Sequence, residues 1–193
     1  MATMPPGKVV ILDPNISITL PTLPYGYRTT RASWEELVQI IREEQDIPKL
    51  SRSAQQQHDY EVFRQHMKEQ YASSLDYILI AKFGLEAVAV KNTMHENPES
   101  SQRSFPLQRW KAKQSLAEIE TPMTVLIPND FPYYNETGVE QYVYWKTNES
   151  ISEEEILQVQ KDLRQNFGAD DILFWVNPTA LQSLPEVEHD NWK

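Results

Sequence analysis

The residues best suited to chemistry gather near the end of the chain, where Asp171-Ile-Leu-Phe-Trp-Val176 is followed by Asn177, Gln182, Ser183 and His189. A run of β-formers and aromatics that can bury both faces would deliver an amide, an amide-hydroxyl pair and an imidazole to one rim. A rigid strand that presents polar groups on a loop holds them at low entropic cost, which suits a ligand site. A second group brackets Trp110: Arg103, Arg109, Lys111 and Lys113 form a local positive cluster in an acidic protein. Guanidinium and ammonium groups in that arrangement can clamp an anion such as a phosphate or sugar phosphate, and the plainer reading is a solvated loop anchored by one tryptophan. The third group is the turn Asn129-Asp-Phe-Pro-Tyr133, in which Asp130 could accept sugar hydroxyls and Tyr133 stack on an apolar sugar face. Its plainer reading is an Asx-turn hairpin loop with buried aromatics. His58 and His66 fall two helical turns apart, too far to share a metal, and read as solvated. Glu153 to Glu155, Glu186 and Glu188 look like a helix start and a solvated loop, so no carboxylate pair for glycoside hydrolysis can be assigned. No pattern calls for a metal or a cofactor.

Composition narrows the classes. The chain has 193 residues, enough for one domain with a sizeable core. With 28 acidic and 18 basic residues the net charge is −10, which repels phosphate backbones and anionic lipid and argues against nucleic-acid or membrane partners. The absence of cysteine excludes disulfides, thiolate catalysis and sulfur-bound zinc. No apolar run approaches the roughly 18 residues of a membrane span, and Met1-Ala-Thr-Met-Pro-Pro lacks the charged and apolar regions of a signal peptide, so a cytoplasmic location is expected.

These groups must be held by the elements that the pattern predicts. Pro5, Pro6, Pro14, Pro21 and Pro24 make 1–30 an extended arm, read as surface packing and alternatively as a docking arm for a protein partner. The remainder, 31–193, reads as a single α+β domain. Ser33-Trp-Glu-Glu36 is a capping box that opens a helix to about Glu44, with Glu36 expected to reach back to the serine N–H. Further helices are predicted over about Ala54 to Tyr71 and Ser74 to Phe83, the latter stopped by Gly84. The stretch 85–120 reads as a long irregular loop. Met123–Ile127 and Val139–Lys146 form a hairpin. Ser152-Glu-Glu-Glu155 caps a helix whose Ile156, Val159, Leu163 and Phe167 face the core and which Gly168 closes. The run Ile172 to Val176 is the third strand. The order β-β-α-β gives an antiparallel sheet covered on one face by the late helix and the early helical region.

Taken in order, Trp34-Glu-Glu-Leu37 with Ile40-Ile41, Tyr71-Ala-Ser-Ser-Leu-Asp-Tyr77, Asn129-Asp-Phe-Pro-Tyr133, Tyr144-Trp-Lys146 and Phe174-Trp-Val-Asn177 with Leu181-Gln-Ser-Leu184 and His189 resemble the fungal family of N-acetylglucosamine-induced proteins, from about Ser33 onward. That resemblance implies a cytosolic fungal protein connected with the amino-sugar response, and implies no demonstrated catalysis. A more distant likeness is to the histidine-triad nucleotide hydrolases and transferases: a strand ending in Lys146, a capped helix, then a strand with Asn177 and the pair Gln182-Ser183 before a histidine. It implies that His189 is nucleophile or flank, that Gln182 and Ser183 contact phosphate, and that Asn177 contacts ribose. A neutral imidazole is a good phosphoryl acceptor when a neighbour orients its other nitrogen. This chain departs from that pattern in having Asn191 where a second histidine belongs.

Three expectations follow. The first is a protein without strong catalysis that binds a small anionic metabolite (amino sugar, sugar phosphate or nucleotide sugar) through Arg109, Lys111, Asp130, Tyr133, Lys146, Asn177, Gln182 and Ser183. The second is a histidine-triad-like nucleotidyl enzyme acting through His189. The third is a regulatory interaction module that meets a partner through its N-terminal arm.

Overall fold

A computed structural model describes residues 18–91 and 108–177, together with the backbone of a strand at 188–192. The fold divides into two units, one formed by His58–Thr121 and the other by Leu20–Gln57 with the chain from Pro122 onward. Each mixes helices with antiparallel strands, so the class is α+β. Among the described residues no helix is long and apolar enough to cross a membrane.

The second unit is organised by the apolar run that ends in strand Phe174–Val176. Successive residues of that run point to opposite sides. Leu173 and Trp175, 0% and 4% exposed, enter a cluster with Ala32, Leu37, Ile40, Ile41, Ile47 and Leu50, whereas Ile172 joins Tyr144, Val159 and Leu163, with Phe174 packed beside it. The early helical region and the late helix therefore lie on opposite faces here, not together on one face as the periodicity suggests. A strand buried on both faces accounts for the difference, since each face needs its own cover.

The first cluster is supplied by helix α1 (Trp34–Val38), its π-helical continuation Gln39–Glu44 and a 3₁₀ turn, Ile47–Lys49. The wider π turn carries the sequence neighbours Ile40 and Ile41 onto the buried side together, and it ends at Gln45 in the left-handed region, φ 53°. The second cluster is supplied by helix α4 (Glu153–Phe167). There the expected capping box is complete: Ser152 Oγ accepts from Glu155 N at 3.2 Å and Glu155 Oε2 accepts from Ser152 N at 2.8 Å. Gly168 closes the helix at φ 68°. Phe167, predicted to face the core, is instead 60% exposed, its ring 5.4 Å from that of Tyr142. The helix ends there, so no further turn supplies cover for its last apolar residue.

The sheet of this unit takes β3 (Thr124–Pro128), β4 (Tyr142–Lys146), β5 (Phe174–Val176) and β6 (Glu188–Trp192) in the order β3-β4-β6-β5, every pair antiparallel. The predicted hairpin β3–β4 is present. The predicted third strand does not pair with it directly. β6 enters between them, with Trp145 opposite His189 and Trp175 opposite Asn191. Of Glu-His-Asp-Asn-Trp only the tryptophan is a strong β-former, and the two flanking strands are what make a strand of the rest.

The first unit takes helix α2 (Ala54–Gln70) from His58 onward, then α3 (Ser74–Ala81) and a two-stranded sheet of β1 (Ala87–Lys91) and β2 (Gln108–Ala112). The two strands stand within the stretch expected to be irregular. β2 is stitched to the α2–α3 junction by backbone: Ala72 N donates to Trp110 O at 2.7 Å, and Tyr71 forms a parallel bridge with Trp110. The Asp76 carboxylate adds two further bonds, accepting from Ala112 N at 2.8 Å and from Ser73 Oγ at 2.6 Å. Phe63 and Tyr71 each meet Tyr77 edge-on, with ring centroids 5.4 and 5.2 Å away.

Candidate functional site

The polar residues that surround a common space in this fold come from before and within the first helix. Tyr25-Gly-Tyr-Arg28 turns at Gly26, φ 70°, where the amide of Gly26 donates to Leu23 O. Arg28 N then donates to Arg52 O at 3.0 Å, which lays residues 25–30 beside the 3₁₀ turn. Between these pieces and the α1–π helix lies a cavity of about 380 Å³, lined by Tyr25, Tyr27, Arg28, Glu36, Gln39 and Lys49 among others. Its size falls within the roughly 300–1,000 Å³ of small-molecule sites.

Two ion pairs set its electrostatics. Arg28 Nη2 reaches both carboxylate oxygens of Glu36 at 2.7 Å. That contact takes the glutamate away from the capping box in which it was expected, and only the Ser33 half of the box, Glu36 N to Ser33 Oγ at 3.2 Å, is formed. Glu136 Oε1 accepts from Trp34 N, the first amide of the helix. Lys49 Nζ lies 2.6 Å from Glu44 Oε2, a bond that raises the lysine above its ordinary pKa and lowers the glutamate. Tyr25 donates to Asp46 at 2.5 Å, which together with some burial pushes the phenol up, and Lys49 sits 5.7 Å from the Tyr25 ring centroid. The cavity thus holds two cations, each faced by a carboxylate, with the threonines Thr29 and Thr30, Ser51 and the Gln39 amide supplying neutral donors and acceptors.

The residues singled out in the sequence fall elsewhere. Arg109 belongs to β2, its Nη2 donating to Ala72 O. Lys111 is exposed on the same strand, opposite Val88, and Lys113 pairs with Glu86 at 2.7 Å. Those three belong to the first unit, and Asp130, Tyr133, Lys146 and Asn177 to the second. Asp130 is exposed in the β3–β4 connection, where Asn129 Oδ1 accepts from Phe131 N at 3.0 Å in the expected Asx turn. Tyr133 packs against the first cluster, 6.4 Å from the Trp175 ring and beneath the Arg52 guanidinium at 5.3 Å. Asn177 Oδ1 accepts from Trp175 Nε1 at 3.1 Å. Gln182 and Ser183 lie outside the described residues, and His189 is placed by its backbone register in β6. His58 and His66 lie 3.5 Å from Asp59 and 3.7 Å from Glu69, and no group of three metal-ligating side chains occurs among the described residues.

Lys146 has a structural post. Its ammonium, 8% exposed, bonds Glu155 at 2.9 Å, Glu149 at 3.2 Å and the Ser150 carbonyl at 3.2 Å, tying the end of β4 to the start of α4. The Ser152 amide, and then Lys146, hold the Glu155 carboxyl below the usual glutamate range, and the bond from Lys146 to Glu155 raises the lysine. A lowered carboxyl stabilises the fold fully above its unfolded pKa, about 4.5, and loses that contribution as pH falls through its lower folded value. The raised lysine contributes below its unfolded value of 10.5 and loses its part at higher pH. Melting temperature should therefore fall on acidification through the acidic side of pH 4.5, and the Glu155→Gln variant should show a shallower fall; identical acid limbs would remove Glu155 from this role.

Sequence reasoning missed Tyr25, Arg28, Gln39, Glu44 and Lys49. The one local signal was Tyr-Gly-Tyr-Arg, two aromatics about a glycine next to a cation, within a segment read only as an arm.

The family described as "Protein of unknown function (DUF3605)" matches residues 33–190. No curated protein matches the chain. A solved structure titled "Crystal Structure of HTC1" is similar in fold, with a TM-score of 0.50 and 18% identity over 83% of each chain.

Proposed function

We propose, for a chain that belongs to the family described as "Protein of unknown function (DUF3605)", that it is a binding protein for an amino sugar, held in the cavity between residues 25–30 and the α1–π helix. The observation that carries the reading is the charge balance of that cavity together with its lining of hydroxyls and exposed tyrosine. Arg28 and Lys49 are each already satisfied by a carboxylate, so a phosphate would have to break an ion pair to be bound. A neutral or cationic polyhydroxylated ring needs no such exchange: Glu36, Glu44 and the Gln39 amide can accept its hydroxyl and N–H protons, and Tyr25, 55% exposed, offers a ring face to its C–H surface. Of the ligands expected from sequence, the free amino sugar is therefore favoured over its phosphate or nucleotide conjugate. The π-helical wall agrees with this reading, since such turns recur at functional sites. The resemblance to the N-acetylglucosamine-induced proteins supports the same ligand class and a fungal, cytoplasmic setting.

The test is thermal unfolding with N-acetylglucosamine, glucosamine, their 6-phosphates, the uridine-diphosphate conjugate and AMP. Ligand at a hundred times its dissociation constant adds about 2.7 kcal/mol, or roughly 5–10 °C for a chain of this size. The free sugars are expected to give that shift, and Tyr25→Ala with Gln39→Ala, both exposed, to abolish it without lowering the melting temperature of the unliganded protein. A shift confined to phosphorylated compounds, or one that survives the double substitution, would overturn this site; a shift with AMP alone would point to the nucleotide enzyme instead.

A further inference from the structure

The second unit carries another concavity, of about 620 Å³, with a different character. Its apolar surface comes from Trp34, Tyr142, Leu163 and Phe167, and the 136–140 loop forms one side. Phe167 is the odd residue. Helical spacing assigns it to the core, yet it is 60% exposed at the rim with Tyr142 beside it. A large aromatic left open at a concave surface marks a place where something docks.

Charge indicates what docks. Glu136, Glu140, Asp170 and Asp171 line the groove, and among the described residues no lysine or arginine does. Each of three of these acids has a local duty: Glu136 accepts from Trp34 N, Glu140 from the Tyr142 hydroxyl at 2.8 Å, and Asp171 from Ile172 N at 2.8 Å and Arg42 at 3.2 Å. A carboxylate offers about four acceptor positions, so each retains capacity for another donor. Aromatic faces interleaved with carboxylates attract an arginine or lysine side chain twice, through the ring and through the charge. The groove also exceeds the needs of a single amine, and its glycine-containing wall, Thr137-Gly138-Val139, brings backbone close to any occupant.

We propose that this groove is a docking site for a basic, arginine-bearing peptide segment of a partner protein, with Phe167 and Tyr142 as the aromatic anchor and Glu140, Asp170 and Asp171 as the receiving carboxylates. The site is separate from the proposed sugar cavity and does not depend on it. The net charge of −10 would steer such a segment toward the molecule, and the aromatic anchor would fix where it lands.

The test uses the full chain and fluorescence anisotropy of a labelled twelve-residue peptide of alternating arginine and leucine, with a glutamate-leucine peptide as counterpart. The arginine peptide is expected to bind and the glutamate peptide not to bind. Phe167→Ala and the pair Glu140→Gln with Asp170→Asn should each weaken binding at least tenfold, while Glu153→Gln with Glu154→Gln, acids at the exposed start of α4, should leave it unchanged. Equal losses in the control pair would show diffuse attraction to an acidic surface and overturn the site, as would full affinity in Phe167→Ala. Spermine should compete poorly; displacement of the peptide by spermine at similar concentration would make the groove a polyamine site and remove the peptide. Circular dichroism of each variant separates lost binding from lost fold.

Discussion

Leu173→Ala should lower the stability of the protein by about 3 kcal/mol, seen as a drop of roughly 6–12 °C in melting temperature. Leu173 has no exposed surface and lies in the cluster that joins α1, the π-helical segment and the run leading into β5. Removing three carbons there forfeits their transfer free energy and leaves a void, because Leu37, Ile40 and Ile41 are fixed by a helix that cannot close on the gap. Val176, in the same run but 47% exposed, supplies the comparison: Val176→Ala should change stability by less than about 0.5 kcal/mol. Similar losses in the two variants would mean that the run does not separate buried from open positions as described.

The second large effect belongs to the other unit and to a different interaction. Asp76→Ala removes the acceptor for Ala112 N and for the Ser73 hydroxyl, and Ala112 is only 3% exposed, so its amide would be left without a partner away from water. Bonds to a charged group contribute about 1.5–3 kcal/mol and an orphaned buried donor costs about 1–3 kcal/mol, which together suggest a loss of about 3 kcal/mol in urea unfolding. Asp76→Asn keeps an acceptor at the same place and should lose about 1 kcal/mol. Amide exchange at Ala112 reads the bond directly: it should accelerate strongly in Asp76→Ala, and unchanged exchange would show that the amide has another partner.

Local rules found the elements wherever local chemistry suffices to form them. Helix α4 was legible from end to end because its capping box, its apolar spacing and its glycine stop all lie within seventeen residues and agree with one another. The hairpin β3–β4 was legible for the same reason, and the two-sided burial read for Ile172 to Val176 holds as far as Trp175 and fails at Val176, which is 47% exposed. What could not be read depended on partners distant in the chain. Gln-Arg-Trp-Lys-Ala becomes strand β2 because β1 and the Asp76 carboxylate meet its backbone, and nothing in those five residues announces it. Glu36 satisfies the capping-box spacing, yet its carboxylate is taken by Arg28, which lies outside the helix. Phe167 keeps helical register, but register says nothing about whether a surface exists to receive it. The candidate cavity escaped for a related reason: the segment that supplies Tyr25 and Arg28 has no periodicity of its own and acquires meaning only when laid along α1.

The placement of β6 has a consequence for how the protein folds. Among the described residues, β4 and β5 are joined in the sheet through β6, which follows both of them in the chain. Until residues 188–192 take their place, one edge of β4 and the inner edge of β5 lack the strand that pairs with them. The sheet of this unit therefore closes in one step that needs residues 188–192, and not progressively from the hairpin outward. Before that step the run that carries Leu173 and Trp175 is an apolar stretch without its strand neighbour, the kind of segment that is prone to pair with another chain.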